Sequence, residues 1–358
     1  MENNFLITTG GSGGHVIPAT ILYDHLSKKA NLLITTDKRG SKYLNKDFYL
    51  FEIIDTPKLN NIIFLPPNLI KVFFLIFKSL FLLKKKKIKK IISTGGYMSL
   101  PVILAAKFLG LKIFLLEPNQ VLGRGNKFFL QSCAKIFCYS KEIKNFPEKF
   151  KDKMVIINPL VKKSIYEANL SLKKRDKFNL LIVGGSQGAD IFDKKLKDSI
   201  KNISKDFPIK IIQQTSEKNI LLLKNFYFKN NIENIIFSFT KKFTQIIQQA
   251  DLCITRAGAS TLAELSVLNT PFIAVPLPTS KDNHQFENAN FYKDNNCCWL
   301  IEQKYFEKEI ENFFIDIFKK KNDYLSKKEN LKKLNHQNTW SNNNQKILKA
   351  INKQSIAN

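Results

Sequence analysis

The sequence predicts an α/β protein of two Rossmann-like domains whose parallel sheets face a central cleft. Three observations predict it. Short apolar runs alternate along the chain with segments of helical spacing. Several of these runs end in glycine turns, at Gly10–Gly14, Gly95–Gly96 and Gly184–Gly185. At 358 residues the chain has room for two domains of this class.

Phe5–Thr9 reads as the first strand. It runs into GGSGGHVIPA, with a helix expected from about Ile17 to Lys29. Glycines between a strand and a helix let backbone amides approach a ligand, and the helix start favours a phosphate. The dinucleotide fingerprint would need glycine where Val16 stands, and there is no Walker lysine. His15 sits where loop becomes helix. It is a candidate general base; the alternative is a packed histidine that caps its own loop.

Asn31–Thr36 is a second strand. Leu69–Leu83 is strongly apolar, broken by Lys71 and Lys78 and followed by a lysine run to Lys90. It reads as too short to span a bilayer, which takes about 20 apolar residues. Two alternatives stand: a helix lying on the membrane with its lysines on anionic headgroups, or a buried core helix with a solvated basic end. Ile91–Ser93 is a strand ending in TGGYMSLPV. Lys112–Leu116 is another, ending in EPNQVLGRGNK, where Asn119 and Asn126 could bond a hydroxyl-rich ligand. Ile136–Tyr139 and Val155–Ile157 are the last strands of this half. Asn158–Pro159 marks the hinge. The expected domains are therefore 1–160 and 161–335, with a tail helix in 336–358 packing back on the first.

The second half opens with a basic linker and the strand Asn179–Val183, which ends in GGSQGA. Ser186 and the amides around it could hold a diphosphate at a helix start. Strands at Ile209–Gln213, Ile235–Phe237 and Leu252–Ile254 follow, with a helix around Phe243–Ala250. Arg256-Ala257-Gly258 breaks the last run before a helix over Ala259–Leu268, a buried strand at Phe272–Val275 and a helix from Gln285. Thr261-Leu262-Ala263-Glu264 fits the capping box S/T-x-x-E. Alternatively, Glu264 at the mouth of such a sheet accepts hydrogen bonds from two ribose hydroxyls. The motif alone leaves both open.

The net charge is +27. It fits nucleic acid, an anionic membrane or an acidic substrate, or simply drift in a Lys-, Asn- and Ile-heavy composition. There is no aromatic-plus-basic RNA signature and no zinc-finger spacing, so no nucleic-acid partner is expected. Five cysteines without C-x-x-C spacing read as reduced core residues of a cytosolic protein. The start, MENNFLITTGGSGGH, lacks the features of a signal peptide. No metal-ligand cluster, D-x-D pair or G-x-S-x-G elbow is present, and neither metal nor cofactor is expected. A site that neutralises a diphosphate through amides and helix ends describes a metal-independent nucleotide-sugar transferase of GT-B architecture.

GGSGGHVIPA, STGGYMSLPV, EPNQVLGRGNK, GGSQGA and RAGASTLAE…PLPTSKDNHQFENA resemble, in order and spacing, the motifs of the MurG family. The resemblance runs to about Tyr292. It implies transfer of N-acetylglucosamine from UDP-N-acetylglucosamine to the muramyl 4-hydroxyl of undecaprenyl-linked lipid I, giving lipid II for peptidoglycan. It further implies that Ser12, Gly13 and Gly14 contact the donor or its diphosphate, that His15 stands near the acceptor, and that Asn119 binds the donor sugar. Ser186 would touch the diphosphate. Ala259, Ser260, Thr261, Leu262, Ala263 and Glu264 would surround uridine and ribose, with Glu264 on the ribose hydroxyls. Gln285, helped by His284, would bind the sugar hydroxyls. Tyr97, Asn126 and Lys162 are expected in acceptor or supporting roles. Two positions depart from the family: Val161 stands where a hinge arginine contacts the donor, with Lys162 beside it, and Thr240 stands where an aliphatic residue meets uracil. The implied setting is the cytoplasmic face of the inner membrane, reached through Leu69–Lys90, with cell-wall synthesis proteins as further partners. Rival readings are another GT-B UDP-sugar enzyme, such as a glycolipid synthase or epimerase, and a non-catalytic nucleotide or membrane-surface binding protein.

Overall fold

The computed structural model describes residues 4–57, 65–168, 176–185, 190–240 and 242–352. The chain divides into two units, Met1–Leu160 with Thr339–Asn358, and Val161–Asn338.

The first unit holds a seven-stranded sheet of β1 (Asn4–Thr8), β2 (Asn31–Thr36), β3 (Phe51–Ile53), β4 (Lys90–Ser93), β5 (Lys112–Glu117), β6 (Lys135–Cys138) and β7 (Met154–Ile156). Its order is β3-β2-β1-β4-β5-β6-β7, and every pairing is parallel. The second unit repeats the scheme with β8 (Phe178–Val183), β9 (Ile209–Gln214), β10 (Glu233–Phe237), β11 (Leu252–Thr255), β12 (Phe272–Ala274) and β13 (Cys298–Leu300). Here the order is β10-β9-β8-β11-β12-β13, again parallel throughout.

Parallel strands covered by helices on both faces need apolar side chains on both faces. In β1, Leu6 joins one core layer with Leu33, Ile91 and Leu115. Phe5 and Ile7 join the opposite layer with Ile34, Ile92 and Phe114. Leu180 and Ile182 are separated from Leu181 and Val183 in the same way in β8. Strand order reverses between β1 and β4 in one sheet and between β8 and β11 in the other. Thr8 pairs with Ser93 and Val183 with Thr255, so the two strands at each reversal end level and their loops leave together. Crevices at such carboxyl-end switch points are where open α/β sheets bind ligands.

Several expectations need correction. The first helix runs over Gly13–Leu26, not Ile17–Lys29. Only Gly10 and Gly11 make the turn; Gly11 has φ +81°, a left-handed conformation that favours glycine, while Gly13, Gly14 and His15 are already in the first helical turn. The three-residue strand β3 was not anticipated.

The apolar helix is longer than read, spanning Leu65–Lys85. Over Pro66–Lys85 it is long and apolar enough to cross a membrane by length and composition. It is also two-faced, which weighs against the core-helix reading. Val72, Ser79 and Leu83 are buried. Leu69, Ile70, Phe73, Phe74, Phe77 and Phe81 form the opposite face and are each more than half exposed. All five cysteines are buried and unpaired.

The helix Trp340–Asn352 belongs to the first unit. Ile347 and Ile351 enter the core layer of Phe5 and Ile7. Asn343 Oδ1 accepts the Asn158 amide at 3.0 Å. The Trp340 ring stacks on His25 at 3.6 Å between centroids. Both ring nitrogens of His25 are buried without a hydrogen-bond partner among the described residues. Burial lowers its pKa to about 4. A histidine kept neutral in this way contributes stability that is present above its ordinary 6.5 and is lost as pH falls towards 4. The difference corresponds to about 3 kcal/mol at most. His25→Phe, which keeps the stacked ring, should flatten the loss between pH 6.5 and 4.5 in urea unfolding. An unchanged pH dependence would assign the acid sensitivity elsewhere.

Candidate active site

In the first unit the loops after β1 and β4 meet around His15. His15 Nδ1 lies 2.8 Å from the Thr94 carbonyl oxygen. A carbonyl can only accept, so Nδ1 carries a proton, and in the neutral ring Nε2 bears the lone pair. Gly95 and Gly96, at φ +89° and +83°, bring the second loop against the imidazole. A Cβ on Gly96 would lie 3.6 Å from His15 Nε2 and only 2.6 Å from Met98 Cε, so a side chain there would crowd both. Thr94 Oγ1 donates to Thr9 Oγ1 at 2.8 Å, tying the two loops together. Ser12 is the helix N-cap residue without a side-chain capping bond. Gly13 is buried and Gly14 exposed.

Two carboxylates that the sequence reading left without a role organise this edge. Glu117, at the end of β5, is buried. Its Oε1 accepts from the Asn119 amide at 3.2 Å and from Asn119 Nδ2 at 3.0 Å. Its Oε2 accepts from the Gly123 amide at 2.7 Å and Asn126 Nδ2 at 2.9 Å. Both asparagines proposed from sequence are therefore held by one acid. Asn126 also donates to the Leu116 carbonyl, and its Oδ1 is buried with no donor among the described residues. Asp37, just beyond β2, is the second acid. Its Oδ1 accepts the amides of Gly11 at 2.7 Å and Gly40 at 2.8 Å. Its Oδ2 accepts from Arg39 Nε at 2.9 Å, and Arg39 Nη2 donates to the Tyr97 hydroxyl. The only signal for either acid was its place at a strand's carboxyl end.

In the second unit, Ala259–Val267 is helical with Gly258 at its N-cap position. Thr261 lies within the first turn, so Thr261 and Glu264 cannot form the capping box the motif suggested. The first intrahelical bond runs from the Leu262 amide to Gly258. The amides of Ala259, Ser260 and Thr261 precede it, as at any helix start. Leu262 and Ala263 point into the core and offer a ligand no side chain.

Glu264 is 8% exposed. No hydrogen-bond donor reaches its carboxylate among the described residues. Burial raises its pKa to about 7, partly opposed by the charge of Lys162. A buried carboxylate without donors is costly, and a ligand's hydroxyls would relieve that cost. Val161 is fully buried in the core, so the hinge position carries packing, while the exposed Lys162 supplies the positive charge.

Arg256 is buried. It donates to the carbonyls of Val275 (3.1 Å) and Pro276 (3.3 Å) and to Gln303 Oε1 (2.7 Å). It thereby fixes the loop after β11 to the end of β12. Gln285 Oε1 accepts the Leu277 amide at 3.0 Å, which leaves the Nε2 donors for a ligand. His284 Nδ1 donates to the Lys281 carbonyl at 2.8 Å. Thr240 Oγ1 accepts the Lys242 amide at 3.0 Å, so its hydroxyl serves the turn before the next helix. Ser186 lies outside the described residues. Among the described residues no three His, Cys, Asp or Glu side chains gather to hold a metal.

The description "Glycosyltransferase family 28 N-terminal domain" matches residues 5–138, and "Glycosyltransferase family 28 C-terminal domain" matches residues 179–342. The chain is 51% identical to the UDP-N-acetylglucosamine--N-acetylmuramyl-(pentapeptide) pyrophosphoryl-undecaprenol N-acetylglucosamine transferase of Pelagibacter ubique, over 98% of this chain and 99% of that one. It is 36% identical to the Rickettsia typhi protein of the same name, over 83% and 86%. Among solved structures, Acinetobacter baumannii MurG superposes with a TM-score of 0.76 at 22% identity, covering 99% and 100%. That likeness bears on the fold, which is GT-B.

Proposed function

Because this chain belongs to the MurG family within glycosyltransferase family 28, we propose that it moves N-acetylglucosamine from UDP-N-acetylglucosamine to the muramyl 4-hydroxyl of undecaprenyl-linked lipid I. The observation that carries the donor side is Glu264, a buried carboxylate that no donor reaches among the described residues. The two ribose hydroxyls supply those donors. The first-turn amides of Ala259, Ser260 and Thr261 face the diphosphate, and the sequence motif assigns Ser186 to the same group. Gln285 Nε2, Asn119 and His284 address the sugar, Thr240 borders the uracil, and Lys162 adds positive charge near Glu264.

The reaction is an inverting displacement. The muramyl hydroxyl oxygen forms a bond to the anomeric carbon as the bond to the diphosphate oxygen breaks. UDP leaves with the electron pair. His15 Nε2 takes the hydroxyl proton, its ring held by the Thr94 carbonyl. Ser12, Gly13 and Gly14 line the same rim, Asn126 keeps its loop in place, and Tyr97 supports the acceptor side.

The test is release of UDP and formation of a labelled disaccharide lipid from UDP-N-acetylglucosamine and a short-chain lipid I. Formation of UDP-N-acetylmannosamine without acceptor would mark an epimerase instead, transfer to diacylglycerol a glycolipid synthase, and binding without turnover a non-catalytic protein.

A lipid-linked acceptor gives the helix Leu65–Lys85 its purpose. Its exposed phenylalanines enter an anionic bilayer surface, and Lys84, Lys85, Lys86 and Lys87 at its end meet the headgroups. The same reading places the enzyme at the cytoplasmic face of the inner membrane, beside other cell-wall synthesis proteins. Burying a phenylalanine contributes roughly 1.5–3 kcal/mol, so Phe73→Asp with Phe77→Asp should lower affinity for anionic vesicles at least roughly 100-fold. Replacing the four lysines by glutamine should remove most of the salt dependence. Unaltered vesicle binding by both variants would retire the membrane role of this helix.

A further inference from the structure

We propose that Arg39 is an anion-binding residue for the acceptor, positioned by Asp37 and Tyr97 and engaging a phosphate or carboxylate through its Nη1 hydrogens. The inference rests on the reaction proposed above.

A guanidinium has five N–H donors in a fixed plane. In Arg39, Nε and Nη2 both lie 2.9 Å from Asp37 Oδ2, and Nη2 also donates to the Tyr97 hydroxyl. Nε and one Nη2 hydrogen are thereby committed to hydrogen bonds, and Nη2 adds an ion-pair contact with Asp37. The two on Nη1 have no acceptor among the described residues, and the side chain is 48% exposed. Asp37 is buried, and its other oxygen is taken by the amides of Gly11 and Gly40. The carboxylate therefore acts as a mount that fixes the orientation of the cation.

The mount is rigid. A Cβ on Gly10 would lie 2.7 Å from Asp37 Oδ1, and one on Gly40 would overlap Thr36 Oγ1. Arg39 also borders both loops that hold His15. A Cβ on Gly11 would lie 3.8 Å from Arg39 Nη2, and Tyr97 directly follows Gly96. A half-exposed guanidinium edge with two directed donors, bordering the loops that hold the base, suits a two-oxygen anion, which a lysine could meet only as a point charge. The acceptor offers that chemistry in its pyrophosphate and in its peptide carboxylates.

The bland alternative is that Arg39 merely braces the two loops. The full-length chain and its Arg39→Met, Arg39→Lys and Asp37→Asn variants separate the two roles. One charge-assisted bond corresponds to roughly 10- to 100-fold. Arg39→Met should raise the acceptor KM by that factor and leave the donor KM in place; it also lowers the melting temperature, because the buried Asp37 carboxylate loses its partner in either role. Arg39→Lys should recover part of the loss. Asp37→Asn, whose remaining oxygen can keep the Gly11 and Gly40 amides while its NH2 faces the guanidinium, should reproduce the acceptor KM penalty because the cation loses its mount. A lipid-pyrophosphate acceptor lacking the peptide distinguishes the sources. A persisting penalty assigns the pyrophosphate, and a vanished one assigns a peptide carboxylate. If Arg39→Met affects both substrates equally, Arg39 is a brace and the proposal is overturned; should that variant not fold, Arg39→Lys decides by the same readout. Wild-type activity with an unaffected Arg39→Met defeats this inference alone, whereas an inactive wild type defeats the transfer reaction and this inference together.

Discussion

Glu264→Gln is expected to make the free protein more stable at pH 8 and a much poorer enzyme at the same pH. Burial holds the Glu264 carboxyl at about 7 against an ordinary 4.5. Its favourable contribution to folding is complete below 4.5 and is lost as pH rises through about 7. The difference corresponds to about 3 kcal/mol. A buried amide keeps part of the desolvation cost, so a gain of about 1–2 kcal/mol at pH 8 is the expected size. The gain should shrink towards zero at pH 4.5, where the wild-type side chain is already neutral.

The donor KM should move the other way. Two hydroxyl bonds to a carboxylate are charge-assisted, and losing that charge should raise the donor KM roughly 10- to 100-fold. The wild-type donor KM should also rise as pH falls below about 7, and the variant's profile should be flat. Thermal melts and donor titrations across pH 5–8.5 check both halves (the pH window is about that of the shifted group,). A variant that is stabilised while its donor KM stays at the wild-type value would leave Glu264 as a buried acid with no ligand.

His15→Ala should lower kcat by roughly 10²- to 10⁴-fold, the usual range for a positioned general base, and leave UDP affinity near the wild-type value. The separation follows from geometry: His15 belongs to the first unit's switch point, and Glu264 with the amides of Ala259–Thr261 to the second's. Isothermal titration with UDP and single-turnover transfer measure the two quantities independently. Equal losses in both would mean that the imidazole shapes the loop and takes no proton. Because Nδ1 is committed to the Thr94 carbonyl, His15→Asn, whose amide reaches about where Nδ1 sits, should keep the loop and still lack the base.

Much of the fold could be read directly. The strands β1, β4, β5, β8, β11 and β12 lie where short apolar runs end in glycine or polar turns, because parallel strands covered on both faces leave an uninterrupted apolar signal. The boundaries that failed have specific causes. Gly13 and Gly14 have ordinary helical backbones, so four glycines within five residues overstated the turn. S-T-L-A-E looked like a capping box because the motif records spacing and not where the helix begins; Gly258 sets that start, three residues before Thr261.

What the sequence determined by itself was the architecture, the family and the stretches that carry chemistry, because these reside in local periodicity and in motif order. Only the tertiary structure decided how the polar groups are shared out. Glu117 holds Asn119 and Asn126, Asp37 mounts Arg39 against Tyr97, Arg256 ties two loops, and Glu264 receives no donor among the described residues. Whether a carboxylate is satisfied depends on donors as near as Asn119 is to Glu117 and as far as Gly11 is from Asp37, separations of 2 and 26 residues, and no local pattern encodes that distance. Desolvation is likewise set by the whole surrounding core, so the raised pKa of Glu264 has no counterpart in any local pattern.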